Sequence, residues 1–116
     1  MVKVVFIDDE EIACETVRDY LPNIETMLYR PGKFEVGALR SKVKEGIDYL
    51  ICDGLKGDWK DIYNFMKRED VSGKTKFILA SFDSGYVKAA KEMGLEAIDK
   101  DINFFVNLSK RFPEIT

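Results

Sequence analysis

The chain has 116 residues, room for one domain, and its 46% hydrophobic and 34% charged residues exclude a disordered chain. Its 18 basic and 21 acidic residues leave a net charge of −3, which argues against a nucleic-acid module working through bulk positive charge. There is no histidine, which removes His-ligated zinc, Ser-His-Asp or Cys-His catalysis, and any phosphohistidine relay within the chain.

The first apolar run, residues 2–7, reads as a strand buried on both faces, because it is hydrophobic at both parities. Residues 10–21 follow as a helix with Ile12, Val17 and Leu21 on its apolar stripe and Asp9 as its N-cap. Residues 26–29 form a weaker strand, and residues 37–45 a poorer helix with Ala38, Leu39 and Val43 inward. Residues 49–52 repeat the two-face strand pattern, and residues 61–68 carry Ile62, Phe65 and Met66 at helical spacing. Trp59, just ahead of that helix, is expected to be its partly buried cover. A third strong strand spans residues 77–80, followed by a helix over 85–93 with Val87, Ala90 and Met93 inward and Gly94 as its C-cap. A weak strand at 96–98 and a helix at 102–112, with Phe105, Leu108 and Phe112 inward, complete the chain. Pro22, Pro31 and Pro113 fall in loops or the tail, and there is no internal repeat.

Strict alternation of strands and helices predicts one α/β domain over residues 1–116: a doubly wound (βα)5 five-stranded parallel sheet with helices on both faces, flavodoxin-like. No apolar run approaches the roughly 20 residues of a membrane span. The opening run meets Asp8 too soon for a signal-peptide core, so a cytoplasmic location is expected. Cys14 and Cys52 are then reduced thiols, with Cys52 in the core.

In such a sheet chemistry sits outside the carboxyl ends of the strands, at the topological switch point. The first strand ends in Asp8-Asp9-Glu10, the third in Asp53 and the fourth in Ser81, and Lys100 follows the fifth. Clustered carboxylates repel one another unless a cation sits among them, and hard oxygen ligands suit Mg²⁺. A carboxylate beside such an ion is a candidate nucleophile toward a phosphoryl group, and a hydroxyl and a lysine are candidate ligands for its oxygens.

At these residues the sequence resembles the receiver domain of two-component response regulators. The resemblance covers nearly the whole chain and is carried by Val4-Val5-Phe6-Ile7-Asp8-Asp9-Glu10, Asp48-Tyr49-Leu50-Ile51-Cys52-Asp53, Lys76-Phe77-Ile78-Leu79-Ala80-Ser81 and Gly94-Leu95-Glu96-Ala97-Ile98-Asp99-Lys100. The separation of 44 residues between Asp9 and Asp53 also fits the family. It implies that Asp8, Asp9, Asp53 and the Leu55 backbone carbonyl hold Mg²⁺, that Asp53 accepts the phosphoryl group, and that Ser81 and Lys100 bind it. Lys56, Asp83 and Tyr86 are candidate modulators beside these positions. Three features depart from the family. Gly54-Leu55-Lys56-Gly57 replaces its Met-Pro turn, only 19 residues separate Ser81 from Lys100, and Ala97 or Ile98 stands where a switch aromatic is usual.

The resemblance implies a stand-alone, non-enzymatic phosphoryl acceptor that signals by binding another protein. Its implied partners are a sensor histidine kinase or phosphotransfer protein and a downstream protein effector, with no nucleic acid and no membrane, and the chain is expected as a monomer or weak dimer. One alternative is a receiver-like interaction module that works without phosphorylation. Another is a small phosphohydrolase of the haloacid-dehalogenase type, against which stands the absence of Asp-x-Asp after the first strand.

Overall fold

Alternate residues of the central strands serve opposite sides of one sheet. Val5, Ile7, Leu50, Cys52, Phe77, Leu79 and Ala97 face one apolar layer, and Val4, Phe6, Ile51, Ile78, Ala80 and Ile98 face the other. The computed structural model describes residues 2–115. Its strands are β1 (Val4–Asp8), β2 (Glu25–Leu28), β3 (Tyr49–Asp53), β4 (Lys76–Ser81) and β5 (Glu96–Asp99). They form one parallel sheet in the order β2-β1-β3-β4-β5. Helices α1 (Glu11–Tyr20), α2 (Val36–Glu45), α3 (Trp59–Glu69), α4 (Ser84–Glu92) and α5 (Phe104–Arg111) alternate with the strands. Buried side chains of α2, α3 and α4 fill the first layer, and those of α5, with Val17 of α1, fill the second. This is the predicted flavodoxin-like α/β architecture.

Several local expectations change. Ala38 and Met93, expected inward, are exposed: Ala38 lies about 140° around α2 from Val43, and Met93 is the C-cap beyond the last turn of α4. Glu10, not Asp9, occupies the N-cap of α1, and its side chain makes no capping hydrogen bond. Ile12 is 68% exposed, and the inward residues of α1 are Cys14 and Val17. Ile12 and Val17 are five residues apart, about 140° around a helix, so they cannot share a face. Helix α3 starts two residues earlier than its pattern suggested, which brings Trp59 onto the stripe of Ile62 and Met66 and buries it completely. Helix α5 starts at Phe104, and Ile102 lies in the preceding turn, 97% exposed. Cys52 is fully buried, as expected. Among the described residues, no helix is long and apolar enough to cross a membrane.

The order in which strands are added reverses between β1 and β3: β2 lies on one side of β1, and the later strands extend from the other. Ile7 pairs with Cys52, so Asp8 and Asp53, each the last residue of its strand, emerge side by side at this switch point.

Candidate functional site

Asp8 is 1% exposed, a depth at which a lone carboxylate is costly. Its Oδ1 accepts from the Glu10 N–H at 3.0 Å, and its Oδ2 accepts from Lys100 Nζ. Lys100 Nζ also donates to Asp53 Oδ1 at 2.6 Å, and Asp53 Oδ2 accepts from the Leu55 N–H at 3.0 Å. Lys100 follows β5, two strands away from β3, and crosses the carboxyl edge of β4 to reach both acids. Its backbone N–H donates to the Ser81 carbonyl at 2.9 Å, which sets the start of that crossing. The rings of Phe6 and Phe82 each have their centre 5.6 Å from Nζ, within the reach of a cation–π attraction.

Burial pushes the Asp8 carboxyl above its ordinary range, against the pull of the Lys100 ammonium. Burial pulls Lys100 down, but its hydrogen bonds to Asp53 and Asp8 outweigh that and hold it above the ordinary lysine range.

Asp9 joins the pair from the loop. Carboxylate oxygens of Asp8, Asp9 and Asp53 lie within 4.8 Å of one another. Three carboxylates facing one ammonium leave a surplus of negative charge, and a set of hard oxygen donors at this spacing fits a small divalent cation such as Mg²⁺. The Leu55 carbonyl already accepts from the Asp58 N–H at 3.0 Å, which leaves it one lone pair for any further partner.

Leu55 and Lys56 have φ of 52° and 54°, a left-handed conformation that favours glycine and costs about 1 kcal/mol or more for each such residue. The Leu55 side chain is buried and the Asp53 carboxylate holds its N–H, so packing and a charged hydrogen bond keep the loop in this shape. Lys56 is exposed at the loop's tip. The loop then meets Tyr29, whose hydroxyl donates to Asp58 Oδ2 at 2.7 Å. Burial and this hydrogen bond push the Tyr29 phenol up to about 12. An acid with a raised folded-state pKa stabilises the fold below its unfolded value, near 10, and loses that contribution as pH rises toward 12. Tyr29→Phe is expected to lose about 1 kcal/mol at neutral pH and to flatten the fall of stability between roughly pH 10 and 12. Denaturant unfolding across that range checks both.

Ser81 is buried, and its Oγ accepts from the Asp83 N–H at 3.0 Å, which leaves the hydroxyl hydrogen free to donate elsewhere. Asp83 is the N-cap of α4, with Oδ1 accepting from the N–H groups of Gly85 at 2.8 Å and Tyr86 at 3.3 Å. Asp8, Asp9, Asp53 and Lys100 thus come together directly, with Ser81 and Leu55 adjoining, Asp83 and Tyr86 just behind Ser81, and Lys56 at the periphery.

Two contributors escaped the sequence reading: Phe6, which flanks Lys100 together with Phe82, and Arg30, which donates to the Asp9 carbonyl. Phe6 reads as a strand core residue, and Arg30 gives no signal without the fold. Phe82 stands next to Ser81 and is 79% exposed, and an aromatic beside a strand-end hydroxyl was the one available sign.

Solved structures share this fold, two of them over nearly the whole chain. A response regulator from Thermotoga maritima superposes with a TM-score of 0.64 at 20% identity, covering 99% of this chain and 98% of its own. A de novo designed Rossmann 2x3 protein, determined in solution by NMR, also gives 0.64, at 16% identity over 98% of this chain and 90% of its own. No protein-family model and no curated protein matches the chain. Since a response regulator and a designed protein share the backbone equally well, the architecture is settled and the choice of function rests on the cluster at the sheet's edge.

Proposed function

We propose that the chain is a receiver-type phosphoryl acceptor, with Asp53 as the nucleophile and a protein partner as the reader of its state. The observation that carries this reading is the Asp8–Lys100–Asp53 cluster at the topological switch point, with Asp9 completing three carboxylates within 4.8 Å. In the step proposed, a carboxylate oxygen of Asp53 attacks the phosphorus of a donor phosphohistidine. The new P–O bond forms as the P–N bond breaks, and the departing imidazole keeps its electron pair and takes up a proton from solvent. Lys100, already bonded to the acceptor, pairs with the incoming phosphoryl oxygens, and the free hydroxyl hydrogen of Ser81 donates to another. Asp8, Asp9 and Asp53 would hold Mg²⁺, which supplies positive charge against the phosphoryl oxygens. The chain carries no histidine, so the donor is a second protein: a sensor kinase or a phosphotransfer protein. The product is stoichiometric and not turned over, and its readout is binding to an effector protein.

The loop after the acceptor favours one second reading. Leu55 and Lys56 hold a left-handed conformation where the resembled family carries a Met-Pro turn, as suits an interaction module that keeps a single state without phosphorylation. Incubation with acetyl phosphate and Mg²⁺ decides between them. Intact-mass spectrometry is expected to show one added phosphoryl group, lost when the metal is chelated. A wild-type chain that never gains it leaves the single-state module as the better account.

A further inference from the structure

A Cβ built on Gly54 would lie 2.6 Å from Tyr86 Cδ2, 3.1 Å from Tyr86 Cε2 and 2.9 Å from Ser81 Oγ. Gly54 has φ −62° and ψ −27°, a conformation open to any residue, so glycine is required here for space and not for backbone freedom. The ring of Tyr86 therefore rests on the backbone of the residue that follows the acceptor, beside the Ser81 hydroxyl. The same ring reaches along the loop to Gly57, where a Cβ would lie 3.8 Å from the phenol oxygen. Its own backbone is held by the Asp83 carboxylate, and the Asp83 N–H is held by Ser81 Oγ. Tyr86, Asp83, Ser81 and Gly54 thus form a closed circuit of contacts between the ends of β3 and β4.

We infer that Tyr86 is a positioning residue that closes the Ser81 side of the acceptor and sets how long a phosphoryl group survives on Asp53. The inference rests on the receiver reading above. Loss of the phosphoryl group requires a water oxygen to attack the phosphorus. The bond between phosphorus and the Asp53 oxygen then breaks, the electron pair returns to the carboxylate, and inorganic phosphate leaves with the water's protons shared between it and solvent. An aromatic ring packed on Gly54 occupies one side from which that water would approach, and it confines Ser81 to the place where its hydroxyl can donate. The ring fits only because residue 54 has no side chain, so Gly54 and Tyr86 act as one device.

The test uses the full chain phosphorylated with acetyl phosphate and Mg²⁺, freed of donor, and followed by intact mass as the phosphoryl group is lost. Tyr86→Ala and Gly54→Ala are each expected to shorten the lifetime about tenfold, equivalent to about 1.4 kcal/mol on the hydrolysis barrier. Tyr86→Phe keeps the ring and restores the wild-type lifetime. The double variant is expected to decay no faster than either single one, since both remove the same contact. Thermal unfolding run alongside separates this from general loosening, because Gly54→Ala displaces a ring without emptying the core. A phosphorylated wild type with an unchanged lifetime in Tyr86→Ala overturns the inference and leaves the receiver reading standing, and additive losses in the double variant overturn it too. A wild type that takes up no phosphoryl group overturns both.

Discussion

Asp53→Asn is expected to abolish phosphoryl uptake from acetyl phosphate altogether, while Asp99→Asn, at the exposed end of β5, takes up the group as the wild type does. An amide is not a competent nucleophile toward phosphorus, so the loss is complete and not graded. The substitution also changes the resting site. Both Asp53 oxygens accept hydrogen bonds, Oδ1 from Lys100 and Oδ2 from Leu55. An asparagine must turn its NH₂ toward one of these donors, so one contact becomes a repulsion. The loop through Leu55 and Lys56 is then expected to relax from its left-handed conformation. Trp59, the single tryptophan, lies buried at the far end of that loop, and its fluorescence reports the change. Full uptake in Asp53→Asn would move the acceptor to another residue.

Lys100→Ala is expected to give the largest loss of stability of any single change in the site. Removing one partner of a buried ion pair costs about 3 kcal/mol or more, because the carboxylates left behind are neither solvated nor neutralised. The side chains of Lys100, Asp8 and Asp53 are 9%, 1% and 15% exposed, which leaves little water to take the ammonium's place. Thermal unfolding should fall by roughly 10 °C. Mg²⁺ is expected to restore more of the midpoint in Lys100→Ala than it adds to the wild type, since the variant's acidic cluster lacks the buried ammonium that pairs with Asp8 and Asp53. The pH dependence has a definite sign. A lysine held above its ordinary range stabilises the fold fully below that range and loses the contribution only as alkali titrates the folded protein. At neutral pH the wild type therefore has the whole contribution and the variant none. A variant as stable as the wild type would mean that the cluster is solvated in solution and that burial is not what holds it together.

The strands were legible because burial on both faces leaves an apolar signature at both parities, as in Val5-Phe6-Ile7 and Leu50-Ile51-Cys52. Helix ends were less legible, because capping and packing compete there. Asp9 read both as a cap and as an acid of the cluster, and only the second holds, while Trp59 looked like a cover but begins the inward stripe of α3. The acids were legible for a further reason: a carboxylate directly after a buried run needs a counter-charge, and Asp8 and Asp53 both stand in that position.

Linear order alone determined the alternating α/β plan and the set of polar residues brought to one edge of a parallel sheet, since those follow from local periodicity and from where each apolar run stops. Strand order and side-chain reach were decided only in three dimensions. The placement of β1 against β3 makes neighbours of Asp8 and Asp53, and Lys100 then spans β4 to join them across 92 and 47 positions of sequence. The seat of Tyr86 on Gly54 is of the same kind. These contacts depend on how separate elements pack, and no short-range pattern of residues encodes a distance between them.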